Sequence, residues 1–362
     1  MSKLTISTAQ LKALSNRASQ CVGANKLFDL TNYLGIKTAK EGLSFYTTDG
    51  VNTLWVSTAV ECDEDIDVTV LADTFIKLVN KITSDTVTIE AEDKSLIISG
   101  NGSYKLDLKL DDEGNLLSFP THDFNVEVEG IGSVSQSEIQ MIQSSLKSSL
   151  STNTGSVYKD YYVGEFICAT DKAMLGLYEC KLFDSEDTKF LLSPQFIDLL
   201  AYAGDEVSLA YNKDSKVLIA NAPNCGFTVV TKDVADCSEY NIDGLHKMLS
   251  IEQASYCKIR KKELLDLLDR LSLFVGAYDD GAITLRFTES GVEVSSLSST
   301  GIETVCYAES QNICDKVIKI NINRLMSQLK SYVSDMVELY YGSDLCIKLV
   351  DGDVTQVIAL MR

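Results

Sequence analysis

"VLADTFIKLVNKITSDTVTIEAEDKSLIISG" at residues 70–100 returns as "LLSPQFIDLLAYAGDEVSLAYNKDSKVLIANA" at 191–222 and as "KININRLMSQLKSYVSDMVELYYGSDLCIKLV" at 319–350. Each copy reads as a short helix anchored by an apolar pair: Phe75–Ile76, Phe196–Ile197 and Leu325–Met326. An acid closes each helix (Asp85, Asp205, Asp335). A hairpin follows with alternating apolar positions, Val87/Ile89, Val207/Leu209 and Val337/Leu339. The copies lie about 120–130 residues apart, too far for a solenoid of roughly 20–50-residue repeats, and 362 residues accommodate three domains of equal size. Tandem domains follow, with boundaries in polar stretches near Pro120 and residues 250–256. The expected domains are 1–122, 123–252 and 253–362.

A second helix-and-strand block precedes each copy. Leu11, Leu14, Ala18 and Cys21 share one helical face in 8–21, before the strand "LSFYTTDG" at 43–50. Ile139, Ile142, Leu146 and Leu150 do so in 136–150, before "GEFICATD", which ends at Thr170–Asp171. Leu264, Leu268 and Leu271 do so in 260–274, before the hairpin "AITLRFTESGVEVSS". Each unit is therefore an α+β domain of two amphipathic helices and roughly eight strands, the helices sharing one side of the sheet layer to bury their stripes. Three such units in a row leave sheet edges at both ends, and closing head to tail with a second chain removes them.

Composition narrows function. Lys+Arg 32 against Asp+Glu 52 gives a net charge of −20, which argues against coating nucleic acid by charge alone. The apolar fraction of 45% is that of a globular chain. The N-terminus "MSKLTISTAQ" has no signal-peptide pattern, and no run of about 18 apolar residues occurs, so a cytoplasmic protein is expected. The ten cysteines read as reduced thiols, with Cys168, Cys306 and Cys346 at apolar strand positions. With no CxxC and only His122 and His246, a metal centre is not expected, and no cofactor is implied.

The charge map is lopsided. The six expected helices (8–21, 72–82, 136–150, 194–203, 260–274, 322–333) carry eleven basic and six acidic residues, or +5, leaving −25 elsewhere. Lys77 and Lys81 face away from Phe75, Val79 and Ile82. Acids gather in "ECDEDID" (61–67), "LDDEG" (110–114) and "DSED" (184–187). Two readings stand here: ordinary lysine-bearing helices, or a helix-lined surface that meets DNA phosphates while an acidic exterior repels them.

The three-unit layout, the strand ends "TTDG" and "ATDK", the segment "IKLVNKITSDTVTIE" and the terminus "QVIALMR" together resemble the bacterial-type sliding clamps, the β subunits of DNA polymerase III. The resemblance covers all 362 residues, and the low proline content suggests a divergent member of a kind a virus could encode. It implies a head-to-tail homodimeric ring of six domains, with helices inside and antiparallel sheets outside, through which duplex DNA passes without sequence reading. A DNA polymerase and a clamp loader dock by short peptides, and the clamp itself makes and breaks no bond. Residues matching the family's peptide pocket are Thr170, Leu175, Val357, Met361 and Arg362, with Tyr158 and Tyr240 as further members. Lys172, Ala173 and Met174 replace a glycine-histidine-arginine run, and Ala359 and Leu360 replace a methionine and a proline. Ring closure is expected to bring the strand around Leu106 and Leu108 against Leu273 and Phe274. DNA-facing candidates are Lys12, Lys26, Lys77, Lys81, Lys147, Arg324 and Lys330.

Two rival classes fit the sequence less well. Asp49 and Asp171 as a catalytic carboxylate pair is disfavoured, because equivalent positions in separate repeats fall far apart. A repeated Thr-Asp is more simply a turn whose side chains bond local backbone; GxxxxGK[ST], GxSxG and HExxH are all absent. An acidic DNA mimic needs its acids along one face, not basic helices.

Overall fold

The computed structural model describes residues 2–23, 28–39, 42–62, 65–121, 130–183, 188–204, 206–212, 214–231, 234–276, 279–298 and 300–362. It divides into two compact units. One comprises 1–136, 183–185 and 195–234; the other comprises 137–182, 186–194 and 235–362.

The first unit holds two antiparallel sheets. The smaller runs β1 (Ser2–Ser7), β6 (Thr86–Glu92), β7 (Ser95–Ser99), β8 (Ser103–Asp107). The larger runs β5 (Asp67–Leu71), β2 (Tyr33–Ala39), β3 (Gly42–Thr48), β4 (Asn52–Ala59), then β16 (Phe227–Thr231), β15 (Val217–Ala222), β14 (Val207–Asn212) and β9 (Gly130–Val134). The join between the first two repeats is the β4–β16 pairing, Phe227 opposite Val56 through Thr231 opposite Asn52. Helix α1 (Thr8–Ala18) begins where the Ser7 hydroxyl accepts the Gln10 amide, and it buries Leu11, Leu14, Ser15 and Ala18. Helix α2 (Ala72–Lys81) buries Ala72, Phe75 and Val79, and Phe75 meets Phe45 edge-on at 5.5 Å.

The second unit repeats the plan. Its larger sheet runs β13 (Phe190–Leu192), β10 (Tyr161–Val163), β11 (Ile167–Thr170), β12 (Met174–Tyr178), then β25 (Val354–Ala359), β24 (Cys346–Asp351), β23 (Met336–Tyr341), β17 (Ser255–Arg260) and the short β21 (Glu309–Gln311). Here the second and third repeats join at β12–β25, Met174 opposite Ile358 through Tyr178 opposite Val354. The smaller sheet runs β20 (Ile302–Cys306), β19 (Gly291–Ser296), β18 (Ala282–Phe287), β22 (Lys316–Asn321). Helix α3 (Gln136–Leu146), after its first residue, belongs to this unit, with α5 (Ile242–Leu249), α6 (Lys261–Ser272) and α7 (Ile322–Ser331). Asn321 caps α7 by accepting the Arg324 amide; Gln328 of α7 is fully buried and donates to Ser149 Oγ at 2.7 Å. The remaining helix, α4 (Pro194–Leu200), falls in the first unit after its first residue.

The three repeats are clear in the element order: among the described residues eight strands fall in the first, eight in the second and nine in the third. Differences from expectation are local. The helices expected over 8–21 and 136–150 tighten into 3-10 turns at Ser19–Cys21 and Lys147–Ser149. The one expected over 194–203 stops at Leu200, ahead of Gly204 in the left-handed region (φ 91°). Arg260, expected to open a helix, ends β17 instead. Helix α5 is absent from the sequence-based expectation. Cys168 and Cys346 are buried, whereas Cys306 is exposed on the edge strand β20.

Candidate functional site

A pocket of about 320 Å³ opens in the second unit, lined by Tyr158, Thr170, Lys172, Ala173, Met174, Leu175, Asn241, Gly244, Leu245, Met248 and Val357. Three local devices build it. The β11–β12 turn is one: Asp171 Oδ1 accepts the amides of Ala173 (2.8 Å) and Met174 (2.6 Å), while the Thr170 hydroxyl donates to Met174 O (2.6 Å) and accepts the Lys172 amide (3.0 Å). The second is the β12–β25 register, which sets Leu175 opposite Val357. Helix α5 is the third, started by Asn241 Oδ1 accepting the Gly244 amide at 2.9 Å.

An aromatic ladder supports the floor. Tyr158 and Tyr240 approach at 4.8 Å, Tyr240 and Tyr162 stack at 5.6 Å, and Tyr162 continues to Phe166 and then His246 of α5. The Tyr240 hydroxyl meets Cys168 Sγ at 3.8 Å. Burial pushes the Cys168 thiol up to about 12 and raises Tyr240 further still. Burial thus favours the neutral form of both groups. The chamber is apolar and suited to binding.

The structure thus brings together Tyr158, Thr170, Leu175 and Val357, with Tyr240 directly behind Tyr158. The terminal residues are placed differently. Ala359 donates its amide to Ala173 O (2.9 Å) beside the turn, Leu360 packs on the core of the third repeat, and Met361 donates to Lys319 O (2.9 Å). Arg362 is exposed. Sequence reasoning missed Asn241, Gly244, Leu245 and Met248. A capping asparagine followed by Ile242, Leu245 and Met248 at helical spacing was the available signal.

A larger cleft of about 910 Å³ in the same unit, lined in part by Glu165, Glu179, Lys181, Glu252 and Lys348, contains none of the expected residues. Lys348 donates to Leu249 O there at 2.6 Å, and burial holds its pKa below the ordinary lysine value. Among the described residues no group of three His, Cys, Asp or Glu side chains is placed to hold a metal ion. Among them, too, no helix is long and apolar enough to cross a membrane.

The basic candidates divide. Lys77 pairs with Asp73 one turn away at 2.8 Å. On α6, Arg270 is bound by Glu303 at 2.6 Å, and that carboxylate is held below its usual pKa by the guanidinium. Lys12 on α1, Lys81 on α2, and Arg324 and Lys330 on α7 have no carboxylate partner among the described residues. Lys147 is exposed in the 3-10 turn after α3. Lys26 lies outside the described residues.

The two smaller sheets each end on an open strand. β8 exposes Tyr104, with Leu106 half-buried; Leu108, just beyond it, is buried and bridges Val70. β20 exposes Ile302, and near it stand Leu273, 82% exposed, and Phe274, 50% exposed, the latter packed close to Gly301.

No family model matches the chain, and no curated protein matches it by sequence. Solved structures do match in fold. The DNA polymerase sliding clamp of Pseudomonas aeruginosa, solved with a ligand, superposes with a TM-score of 0.85 at 17% identity over 100% of both chains. The β subunit from the DNA polymerase of Streptococcus pyogenes gives 0.85 at 14% identity over 99% of this chain and 100% of that one. DNA polymerase III subunit beta of Borrelia burgdorferi, in complex with a natural product, gives 0.83 at 16% over 100% of both. The chain has, over its whole length, the fold of the DNA polymerase III β sliding clamps.

Proposed function

We propose that the protein is a DNA sliding clamp: a processivity factor that encircles duplex DNA as a head-to-tail homodimeric ring and tethers a DNA polymerase, and its clamp loader, through the apolar pocket. It acts in the cytoplasm as a scaffold and catalyses no reaction. The three repeats correspond to domains 1–122, 123–252 and 253–362.

One observation carries this reading. In each unit the larger sheet is two half-sheets from successive repeats, joined at β4–β16 and at β12–β25. The first half of the third repeat (β22-β18-β19-β20) and the second half of the first (β1-β6-β7-β8) are the same two kinds of half-sheet, and each ends on an open strand. By that pattern β20 of one copy meets β8 of another, and two copies close a ring with no half-sheet left unjoined. Lys12, Lys81, Arg324 and Lys330, with no carboxylate partner among the described residues, give the helices the positive charge that DNA phosphates attract.

The experiment is retention on DNA. Loaded on closed circular DNA, the protein should stay bound in high salt and be released when the circle is cut. Loss in salt from the intact circle would mean ordinary charge binding and end the clamp reading.

A further inference from the structure

Among the described residues, Lys172 is the single charged one lining the small pocket. Its ammonium lies 5.0 Å from the centre of the Tyr158 ring, at the rim, and among the described residues it is paired with no carboxylate. The nearest acid in sequence, Asp171, already accepts two backbone amides. In a chain of net charge −20 this is an isolated positive point above an apolar chamber.

The backbone makes the choice of lysine more telling. Lys172 sits at φ 78°, in the left-handed region that disfavours a side chain. The equivalent turn of the first repeat has the same hydrogen bonds: Asp49 Oδ1 accepts the amides of Val51 and Asn52, while the Thr48 hydroxyl donates to Asn52 O and accepts the Gly50 amide. There the same position is Gly50, at φ 97°. The fold tolerates glycine at this position, yet the pocket turn carries lysine. Strain retained beside a binding chamber points to a role for the side chain that causes it.

We propose that Lys172 is a specificity residue of this pocket: it selects a peptide whose apolar anchor lies next to a carboxylate. The inference rests on the peptide-pocket reading above and names the chemistry of the peptide that pocket takes. The apolar walls, Met174, Leu175, Leu245, Met248 and Val357, receive the anchor. The ammonium, held over Tyr158, pairs the carboxylate. An acidic side chain and a free C-terminal carboxylate supply the same chemistry.

Three acetylated peptides separate these sources in calorimetric titrations: Ala-Asn-Leu-Phe-Ala amide, Ala-Asp-Leu-Phe-Ala amide, and Ala-Asn-Leu-Phe with a free C-terminus. At least one carboxylate-bearing peptide should bind about three- to fivefold more tightly than the neutral one, the range of an exposed ion pair. Lys172→Met should remove that preference and Lys172→Glu should invert it, each read as the ratio of charged-peptide to neutral-peptide affinity within the one variant. Equal affinity for all three peptides overturns the role of Lys172 alone, as does a preference that survives Lys172→Met. If no peptide binds, or if all bind as tightly after Ala173→Trp sets an indole at the pocket wall, the pocket reading falls and the inference with it.

Discussion

The Thr-Asp dipeptide shows how far a single residue type can be read. Asp49 and Asp171 invite a catalytic interpretation, but each has one carboxylate oxygen committed to two backbone amides of its own turn. Charge-assisted bonds of this kind are worth more than neutral ones, so both acids are structural. Asp171→Ala and Asp49→Ala should each lower unfolding free energy by about 1–2 kcal/mol in urea titrations. The two differ in consequence. Only the Asp171 change loosens the turn that presents Lys172 and Met174, so only it should also weaken peptide binding. Equal peptide affinity in both variants would separate the turn from the site.

Among the elements, helix α5 decides the pocket and was the hardest to see. It has only eight residues and only Leu245 of it is buried, so its apolar stripe of Ile242, Leu245 and Met248 spans barely two turns. The helices of the three quoted copies were legible because each carries an apolar pair ahead of an alternating hairpin. The strand joins β4–β16 and β12–β25 left no sequence mark, because the pairing partner of a strand more than a hundred residues away is set by packing, with no local turn to fix its register. Of the pocket, Thr170, Leu175 and Val357 were legible through family resemblance, whereas their α5 counterparts were not. Two substitutions on α5 should part stability from function. Leu245→Ala empties a buried position and should cost about 2–4 kcal/mol of stability. Met248→Ala, at a half-buried wall, should leave the melting temperature nearly unchanged while weakening peptide binding by about 1–2 kcal/mol. Removal of Met361 and Arg362 should matter less than Met248→Ala, since Met361 is anchored to Lys319 O and lines no part of the pocket.

At the scale of the whole molecule, the proposed ring makes two demands that can be tested apart. Closure depends on the open strands β8 and β20 and on exposed Leu273 and Ile302. Leu273→Asp with Ile302→Asp places charges where burial on closure is expected, at positions exposed in the single chain, so each chain should keep its fold to within about 0.5 kcal/mol per site. Sedimentation should move from twice 39.7 kDa to a single 39.7 kDa chain; a parent protein already at single-chain mass would remove the ring. The passage of DNA depends instead on local charge, because the net charge of −20 repels phosphate at long range. Lys81 and Lys330 are exposed, lie on α2 and α7, and have no carboxylate partner among the described residues, whereas Lys77 is already paired with Asp73. Lys81→Glu with Lys330→Glu should therefore leave the mass unchanged while slowing loading on DNA. Removing one lysine that neutralises a phosphate should reduce the slope of log affinity against log salt, measured on linear duplex, by about 1. Lys77→Glu, which removes a lysine paired with Asp73, should change that slope less than Lys81→Glu does. An unaltered slope in the double variant would place both lysines away from the DNA.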